Sequence, residues 1–340
     1  MDVRTALARL AERKALAQEE ARQVFAQVMT GEATPAQIGA LLMGFRVKGE
    51  TAEEIAGAAQ TMRDLSVKVE VDVPYLVDTC GTGGSGAKLF NVSTAAAFVT
   101  AAAGAHVAKH GNRKMTSASG SADVLEAAGV NLALTPTQIG QCIRDVGVGF
   151  LFAQAHHGAM KHAAPVRQEL GVRTLMNLLG PLTNPAGARR QVIGVFSPQF
   201  QQIVAEVLRL LGAEHVLVVH ANGLDEITLD GPSFVVELKA GDITSYEIAP
   251  EDFGIERRPV DALRADSPAA SLALVLEALE KPDSPAADIV SLNAGAAIYA
   301  AGVATSLVNG VAMAQDAIAA GLARERMDEL VRISSLMGEP

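Results

Sequence analysis

Between Tyr75 and Thr94 the chain reads YLVDTCGTGGSGAKLFNVST, and this stretch limits what can be built around it. The apolar run Tyr75-Leu76-Val77 predicts a short strand that stops at Asp78. A loop with four glycines follows (Gly81, Gly83, Gly84 and Gly86), and Ser93-Thr94 open the helix-like run AAAFVTAAAG. Glycine permits positive φ and removes the Cβ atoms that would hold a ligand away from the amides. A strand, a glycine-rich loop and a helix N-terminus together offer N–H groups and a positive dipole end to an anion, most often a phosphate.

Gly81-Thr82-Gly83-Gly84-Ser85-Gly86 satisfies the spacing G-x-G-x-x-G of dinucleotide sites. Those sites also need an Asp or Glu about 20 residues downstream for the ribose hydroxyls. Here the next strand-like run, His106-Val107-Ala108, leads instead into Lys109-His110-Gly111-Asn112-Arg113, which is basic. A nicotinamide or flavin site is therefore disfavoured, and a ligand with several phosphates is favoured. A Walker loop fails as well, because no Gly-Lys-Ser/Thr follows the glycines.

The 340 residues suffice for one large domain or for a large and a small one. With 49% hydrophobic and 19% charged residues the chain can bury a sizeable core; aromatics supply only 4%, so that core must be Ala, Val, Leu and Ile. The net charge of −10 argues against nonspecific nucleic-acid binding, which rests on neutralising phosphates. Cys80 and Cys142 are too few for a disulfide framework and point to a reducing compartment. The charged opening segment reads as no signal peptide and the Ala-rich runs as no membrane span, which leads us to expect a soluble cytoplasmic protein.

From Met1 to about Ser66 the pattern is helical. Thr34-Pro35-Ala36-Gln37 and Thr51-Ala52-Glu53-Glu54 are capping-box sequences, and Gly31 and Gly49 stand where helix C-terminal caps belong. Helices are expected over Val3 to Arg13, Ala17 to Thr30, Pro35 to Lys48 and Ala52 to Leu65, forming either a dimer face or lid, or simply a packing subdomain. The alternating stretch VKVEVDV at Val67 to Val73 is an edge strand or a linker. Beyond it six strand candidates alternate with helical runs, namely Leu76 to Asp78, His106 to Lys109, Gly149 to Ala153, Val192 to Phe196, Val216 to His220 and Phe234 to Leu238. This alternation predicts an α/β domain with a mainly parallel sheet. The last third returns to helix, with a break near Gly321.

Four constellations could carry chemistry. Asn91-Val92-Ser93-Thr94 can cap a helix or hold phosphate oxygens and a hydrated metal, and the glycine loop before it favours the second use. Lys109 to Ser121 gathers cations, an amide and hydroxyls in one loop, which favours polyanion binding over a solvated turn. Asp225-Glu226, after the strand Val216 to His220, would by itself read as a surface acidic turn; beside two phosphate-binding loops it suits Mg2+, which takes oxygen ligands and often bridges to phosphate. In Pro165 to Thr174 two arginines, Arg167 and Arg173, stand six residues apart and cannot share a helix face, so one can meet a ligand carboxylate while the other makes structural contacts. His156, His157 and His162 lack the Cys or Glu spacing of a zinc site, and Cys80, with no base near it in sequence, reads as a small buried residue.

Taken together, these motifs resemble the anthranilate phosphoribosyltransferase family over essentially the whole chain. The likeness lies in Gly81 to Gly84 with Asn91-Val92-Ser93-Thr94, in Lys109-His110-Gly111-Asn112-Arg113 with Ser119-Gly120-Ser121-Ala122-Asp123, in Pro165-Val166-Arg167, in Gly180-Pro181-Leu182-Thr183-Asn184-Pro185 and in Asp225-Glu226. The resemblance implies a helical domain, residues 1–68 joined by part of 160–185, and a phosphoribosyltransferase-like α/β domain over 69–340. It implies a homodimer through the N-terminal helices and Mg2+-dependent transfer of phosphoribose from phosphoribosyl pyrophosphate to the amine of anthranilate. By the same resemblance Gly81, Gly83, Gly84, Asn91, Val92, Ser93 and Thr94 hold the diphosphate; Lys109, His110, Gly111, Asn112, Arg113, Ser117 and Ser121 hold the ribose phosphate end. Gly81, Asn112 and Arg167 contact anthranilate, His157 and Pro181 line its path, and Ser93, Asp225 and Glu226 take the metal.

The chain also departs from the family pattern. Ser85 stands where an Asp usually follows the glycines, Lys88-Leu89 replace small or hydroxylated residues, and Ala118 replaces a frequent Lys. These changes imply an altered Mg2+ dependence or phosphoribosyl pyrophosphate affinity with the reaction retained. Two other readings are disfavoured: a nucleoside phosphorylase of the same architecture, by Asn112 and Arg167 in anthranilate-type motifs, and a nucleic-acid-binding relative, by the acidic net charge.

Overall fold

A computed structural model of the chain describes residues 1–83, 86, 88–113 and 119–338. Four helices come first, α1 (Val3–Ala11), α2 (Gln18–Thr30), α3 (Pro35–Lys48) and α4 (Ala52–Leu65). The capping boxes at Thr34 and Thr51 form as the sequence predicts, and Gly31 closes α2 in the left-handed conformation. Helix α1 ends two residues before the expected Arg13, which itself has φ 57°. The stretch Val67 to Val73 is a linker: the Val67 and Val69 amides donate to His156 O and Pro185 O at 2.9 and 3.2 Å, and Val69 is buried with Ile139, Ile143 and Leu151.

Strands and helices then alternate: β1 (Leu76–Gly81), α5 (Val92–Ala102), β2 (His106–Gly111), α6 (Ser121–Ala127), α7 (Pro136–Val146) and β3 (Val148–Phe152). Three short helices follow, α8 (Ala153–His156), α9 (Ala164–Leu170) and α10 (Met176–Leu179), before β4 (Arg190–Gly194), α11 (Gln201–Leu210), β5 (His215–His220), β6 (Ser233–Lys239) and β7 (Asp242–Ile248). The chain closes with α12 (Pro268–Glu280), α13 (Pro285–Ala301), α14 (Leu307–Ala319) and α15 (Leu322–Met337), the last two parted at Gly321 as predicted.

The sheet order is β3-β2-β1-β4-β5-β6-β7; the first five strands are parallel, and β6 and β7 are antiparallel. Its side chains alternate as a two-faced strand requires: Leu217 and Val219 pack with α5 and α13, while Val216 and Val218 pack with α11 and the N-terminal helices. Ala163, Val166, Leu175 and Leu179 join that second core, so the 163–182 segment packs with the bundle.

Two strand expectations need correction. Strand β1 does not stop at Asp78 but runs to Gly81, because Asp78 to Gly81 pair with Gln191 to Gly194 of β4 and the Asp78 carboxylate finds donors inside the sheet. Strand β7 was not foreseen: its residues are mostly exposed, and its turn is the two-residue Ala240-Gly241 with positive φ at both, a geometry usually signalled by Asn-Gly.

Candidate active site

The C-terminal ends of β1, β2, β4 and β5 meet the N-terminus of α5, the place where parallel sheets collect ligands. Gly81 ends β1 and pairs with Gly194, which ends β4. Glycine is required at 194, since a Cβ there would fall 1.7 Å from Asp225 O. This close approach seats Asp225 over the glycine loop, where its Oδ2 accepts the Gly83 amide at 3.0 Å.

Glu226 lies against the start of α5, accepting the Ser93 amide. Burial and the adjoining Asp225 carboxylate push its pKa up to about 8, although Lys109 and the Ser93 amide oppose them. Asp225 and Glu226 are adjacent carboxylates. With the Ser93 hydroxyl nearby they form an all-oxygen donor set that fits Mg2+. The buried Lys109 Nζ donates to Thr79 O and, at 3.3 Å, to Ser93 Oγ, so its ammonium reaches Ser93 at the helix N-terminus, and Ser93 lines one cavity with Asp225 and Glu226. Thr94 Oγ1 is buried with no hydrogen-bond partner among the described residues, and Val92 is core.

Asn91 is held by α12: its amide donates to Ser271 Oγ at 2.9 Å, and the same hydroxyl donates to Asn91 Oδ1 at 2.7 Å. At the end of β2, Gly111 admits Ser121, whose Oγ would lie 2.1 Å from a Cβ at that position. Ser121 Oγ and the Ala122 amide both donate to Asn112 O, and Asn112 Oδ1 accepts the Arg113 amide. Arg113 turns outward to the carboxylates of Glu126 and Asp123, and its guanidinium lies 5.7 Å from the Phe152 ring centre. Its charge is therefore already paired within α6.

His110 Nδ1 donates to Gly180 O at 3.1 Å, which leaves Nε2 a bare acceptor, and its ring meets that of His157 edge to face at 5.2 Å. Burial, then the neighbouring histidines, lower the His110 pKa to about 3, and burial lowers that of His157 to about 4. Both rings stay neutral, and neither Nε2 has a partner among the described residues. Arg167 projects from α9, just after the turn bearing His157, and has no ion-pair or hydrogen-bond partner for its guanidinium among the described residues. Burial lowers its pKa. Arg173 instead stacks on Phe196 at 4.0 Å, so the two arginines have different surroundings. Gly84, Ser85, Ser117 and Ala118 lie outside the described residues. Lys88 is exposed, and its carbonyl accepts the Ala265 amide. Burial, with nearby carboxylates, pushes the Cys80 thiol well above its ordinary range, so it is no ready nucleophile.

The sequence matches the glycosyl transferase family helical bundle domain over residues 4–66 and the glycosyl transferase family a/b domain over residues 73–324. The anthranilate phosphoribosyltransferase of Hahella chejuensis is 57% identical over 344 residues, covering 100% of this chain and 99% of that protein. The chain belongs to the anthranilate phosphoribosyltransferase family. Its counterpart in Ectopseudomonas mendocina is 55% identical, with 99% of this chain and 98% of that one aligned. The crystal structure of the Thermus thermophilus anthranilate phosphoribosyltransferase superposes with a TM-score of 0.92 at 45% identity, covering 97% and 99% of the two chains. The Saccharomyces cerevisiae anthranilate phosphoribosyltransferase, solved with phosphoribosyl pyrophosphate and Mg, shares the fold at a TM-score of 0.89 and 23% identity, over 98% of each chain.

Several residues that shape this family member's site escaped the sequence reading. Ser271 fixes Asn91, and Asn293 of α13 clamps the loop carrying the two carboxylates: its Oδ1 accepts the Ile227 amide, and its Nδ2 donates to Ile227 O, both at 2.9 Å. His220 donates from Nδ1 to Val195 O and accepts the Gly223 amide at Nε2, bracing the same loop. Asn293 alone carried a signal, as the one amide in the Ala-rich run NAGAAIYAA.

Proposed function

We propose that this protein transfers the phosphoribosyl group of phosphoribosyl pyrophosphate to the amine of anthranilate, giving N-(5-phosphoribosyl)anthranilate and diphosphate, as a step of tryptophan biosynthesis. One observation carries the reading: Lys109, the Asp225-Glu226 pair and Ser93 converge on the N-terminus of α5. In the reaction the bond from the anomeric carbon to the diphosphate oxygen breaks, a carbon–nitrogen bond forms and the amine gives up a proton. The protein's task is to stabilise a departing anion and to place an already nucleophilic amine.

Mg2+, when bound, offsets the diphosphate charge, and Ser93, Asp225 and Glu226 are the residues that would hold it. The helix N-terminus with Gly81, Gly83, Gly84, Asn91, Val92 and Thr94 receives the diphosphate. Lys109, His110, Gly111, Asn112, Ser117 and Ser121 are the residues that would hold the ribose phosphate end, Ser117 lying outside the described residues, and Arg113 acts there only by leaving Glu126. Arg167 binds the anthranilate carboxylate, with Asn112 and the Gly81 backbone beside it; its unanswered guanidinium supports this. His157 and Pro181 border the route in. Residues 1–68 with part of 160–185 form the helical domain, whose helices supply a homodimer face; Val47 on α3 is 63% exposed there. No helix among the described residues is long and apolar enough to cross a membrane, which accords with a cytoplasmic enzyme.

The test is the loss of anthranilate fluorescence when protein, phosphoribosyl pyrophosphate and Mg2+ are mixed. Turnover is expected, and Arg167→Ala should raise the KM for anthranilate roughly 10- to 100-fold, the worth of a charged hydrogen bond, with little change in the KM for phosphoribosyl pyrophosphate. No turnover at any Mg2+ concentration would reject the reading.

A further inference from the structure

Asp78 is fully buried in the middle of a parallel sheet, where an aliphatic side chain is the ordinary occupant. A carboxylate there is costly unless its oxygens are answered. Its donors come from elements that carry the substrate groups. Oδ1 accepts the His110 amide at 3.0 Å, inside the basic loop at the end of β2. Oδ2 lies 3.4 Å from Gln191 Nε2 on β4, and that same nitrogen donates to Pro181 O at 2.9 Å. The Gly180 to Asn184 turn is tied back twice more, by His110 Nδ1 to Gly180 O at 3.1 Å and by Asn184 Nδ2 to Ala108 O at 2.8 Å. The positive charge of Lys109 bears on the same carboxylate, while its Nζ reaches across to Ser93 Oγ.

Building on the transfer reaction proposed above, we propose that Asp78 is a positioning residue: with Gln191 it fixes the Lys109–Asn112 backbone and the Gly180–Asn184 turn in one geometry, so that the phosphoribose and anthranilate ends of the site stay in register. Asp78 touches neither substrate in this role. It acts through the His110 amide on one side and through Gln191 and Pro181 on the other. Asp78, Cys80 and His110 also place ligand-type atoms within 4.8 Å of one another, as a soft-metal site would. The carboxylate oxygens are committed to the His110 amide and Gln191, however, and an ammonium charge lies beside them, so the cluster is better explained as a brace.

The experiment compares Asp78→Asn, Gln191→Leu and the double variant by initial rates with each substrate varied, after circular dichroism and thermal unfolding establish that each is folded. Asp78→Asn should lower kcat/KM by about 100-fold, the scale of a small misplacement of reacting groups, with KM raised for both substrates. Gln191→Leu should lower it about tenfold, chiefly through the KM for anthranilate, and the double variant should fall no further than Asp78→Asn alone, as members of one network do. A merely structural role predicts a lower unfolding temperature and a smaller active fraction with both KM values unmoved. That outcome in either folded variant, or losses that multiply in the double variant, would overturn the proposal. Should Asp78→Asn not fold, Gln191→Leu decides alone. An inactive parent protein would reject the assigned reaction and this role with it, whereas an active parent with unaltered KM values in the variants rejects only the role.

Discussion

Glu226, half-buried, and Glu237, buried, are both glutamates of the seven-stranded domain, yet their surroundings push them in opposite directions. Glu226, at the end of β5 where the site lies, is raised to about 8 by burial and by Asp225. Glu237, on β6 opposite the beginning of β5, is likewise penalised by burial but held down to about 2 by hydrogen bonds from His215, Tyr246 and Tyr299. Those donors lie at 2.8, 2.8 and 2.9 Å, and Lys239 completes the group by bonding to Tyr299 at 3.0 Å. The Glu237 carboxylate is satisfied by side chains of the fold itself; Glu226 is opposed only by the Lys109 charge and the Ser93 amide, which supports its proposed part in metal binding. The difference supports the proposed division into a structural ionic cluster and a binding one.

The contrast is broken most sharply at Glu226. Glu226→Gln keeps the shape and removes the charge, so kcat/KM should fall about 1000-fold, the scale of several kcal/mol of lost charge stabilisation. Unfolding in the absence of divalent cation should occur at the same temperature or a higher one, because a strained carboxylate has gone. Mg2+ with phosphoribosyl pyrophosphate should stabilise the parent protein against heat and leave the variant unmoved. A variant that unfolds markedly earlier without metal would place Glu226 with Glu237, as part of the fold.

Glu237→Gln is the mirror experiment. Here kcat should hold while stability drops by about 2 kcal/mol at neutral pH, the worth of charge-assisted hydrogen bonds. The pH dependence follows from the depressed pKa: the carboxylate's contribution is complete above its ordinary value of 4.5 and is lost as pH falls toward about 2. Denaturant midpoints for parent and variant should therefore differ at pH 6 to 7 and converge near pH 2 to 3. A gap that persists at low pH would mean that the hydrogen bonds do not depend on the charge.

How much of this was visible in the sequence follows from whether the chemistry is local. Capping boxes at Thr34 and Thr51, the break at Gly321 and the apolar strand run Val216 to His220 are written within a few residues, and the structure bears them out. The four strands that reach the site and the motifs on them were legible for the same reason. Asp78 was misread as a strand end because a polar residue in a strand looks like a stop until its partners are known, and those partners, His110 and Gln191, are 32 and 113 residues away. Ser271 and Asn293 were invisible on the same account: each is an ordinary helix residue until α12 and α13 pack beside the phosphate loop and the diacid loop. Strand β7 was missed because an exposed edge need not alternate.

Ser271 supplies the finest test, since it lies one step removed from the ligand and its contribution is small. Its hydroxyl accepts the Asn91 amide at 2.9 Å and donates to Asn91 Oδ1 at 2.7 Å, fixing the residue that precedes α5. Ser271→Ala removes both bonds at the edge of the site, where water can answer part of the loss, so the cost should be about 1 kcal/mol. Because the proposed reading puts Asn91 on the diphosphate side and Arg167 on the anthranilate side, that cost should appear as a KM for phosphoribosyl pyrophosphate raised roughly fivefold, with the KM for anthranilate unchanged. An unfolding temperature lowered without any change in KM would make Ser271 a satisfied core residue like those around Glu237. Equal shifts in both KM values would mean that the two ends of the site move as one body, and the brace centred on Asp78 would then be the element to examine.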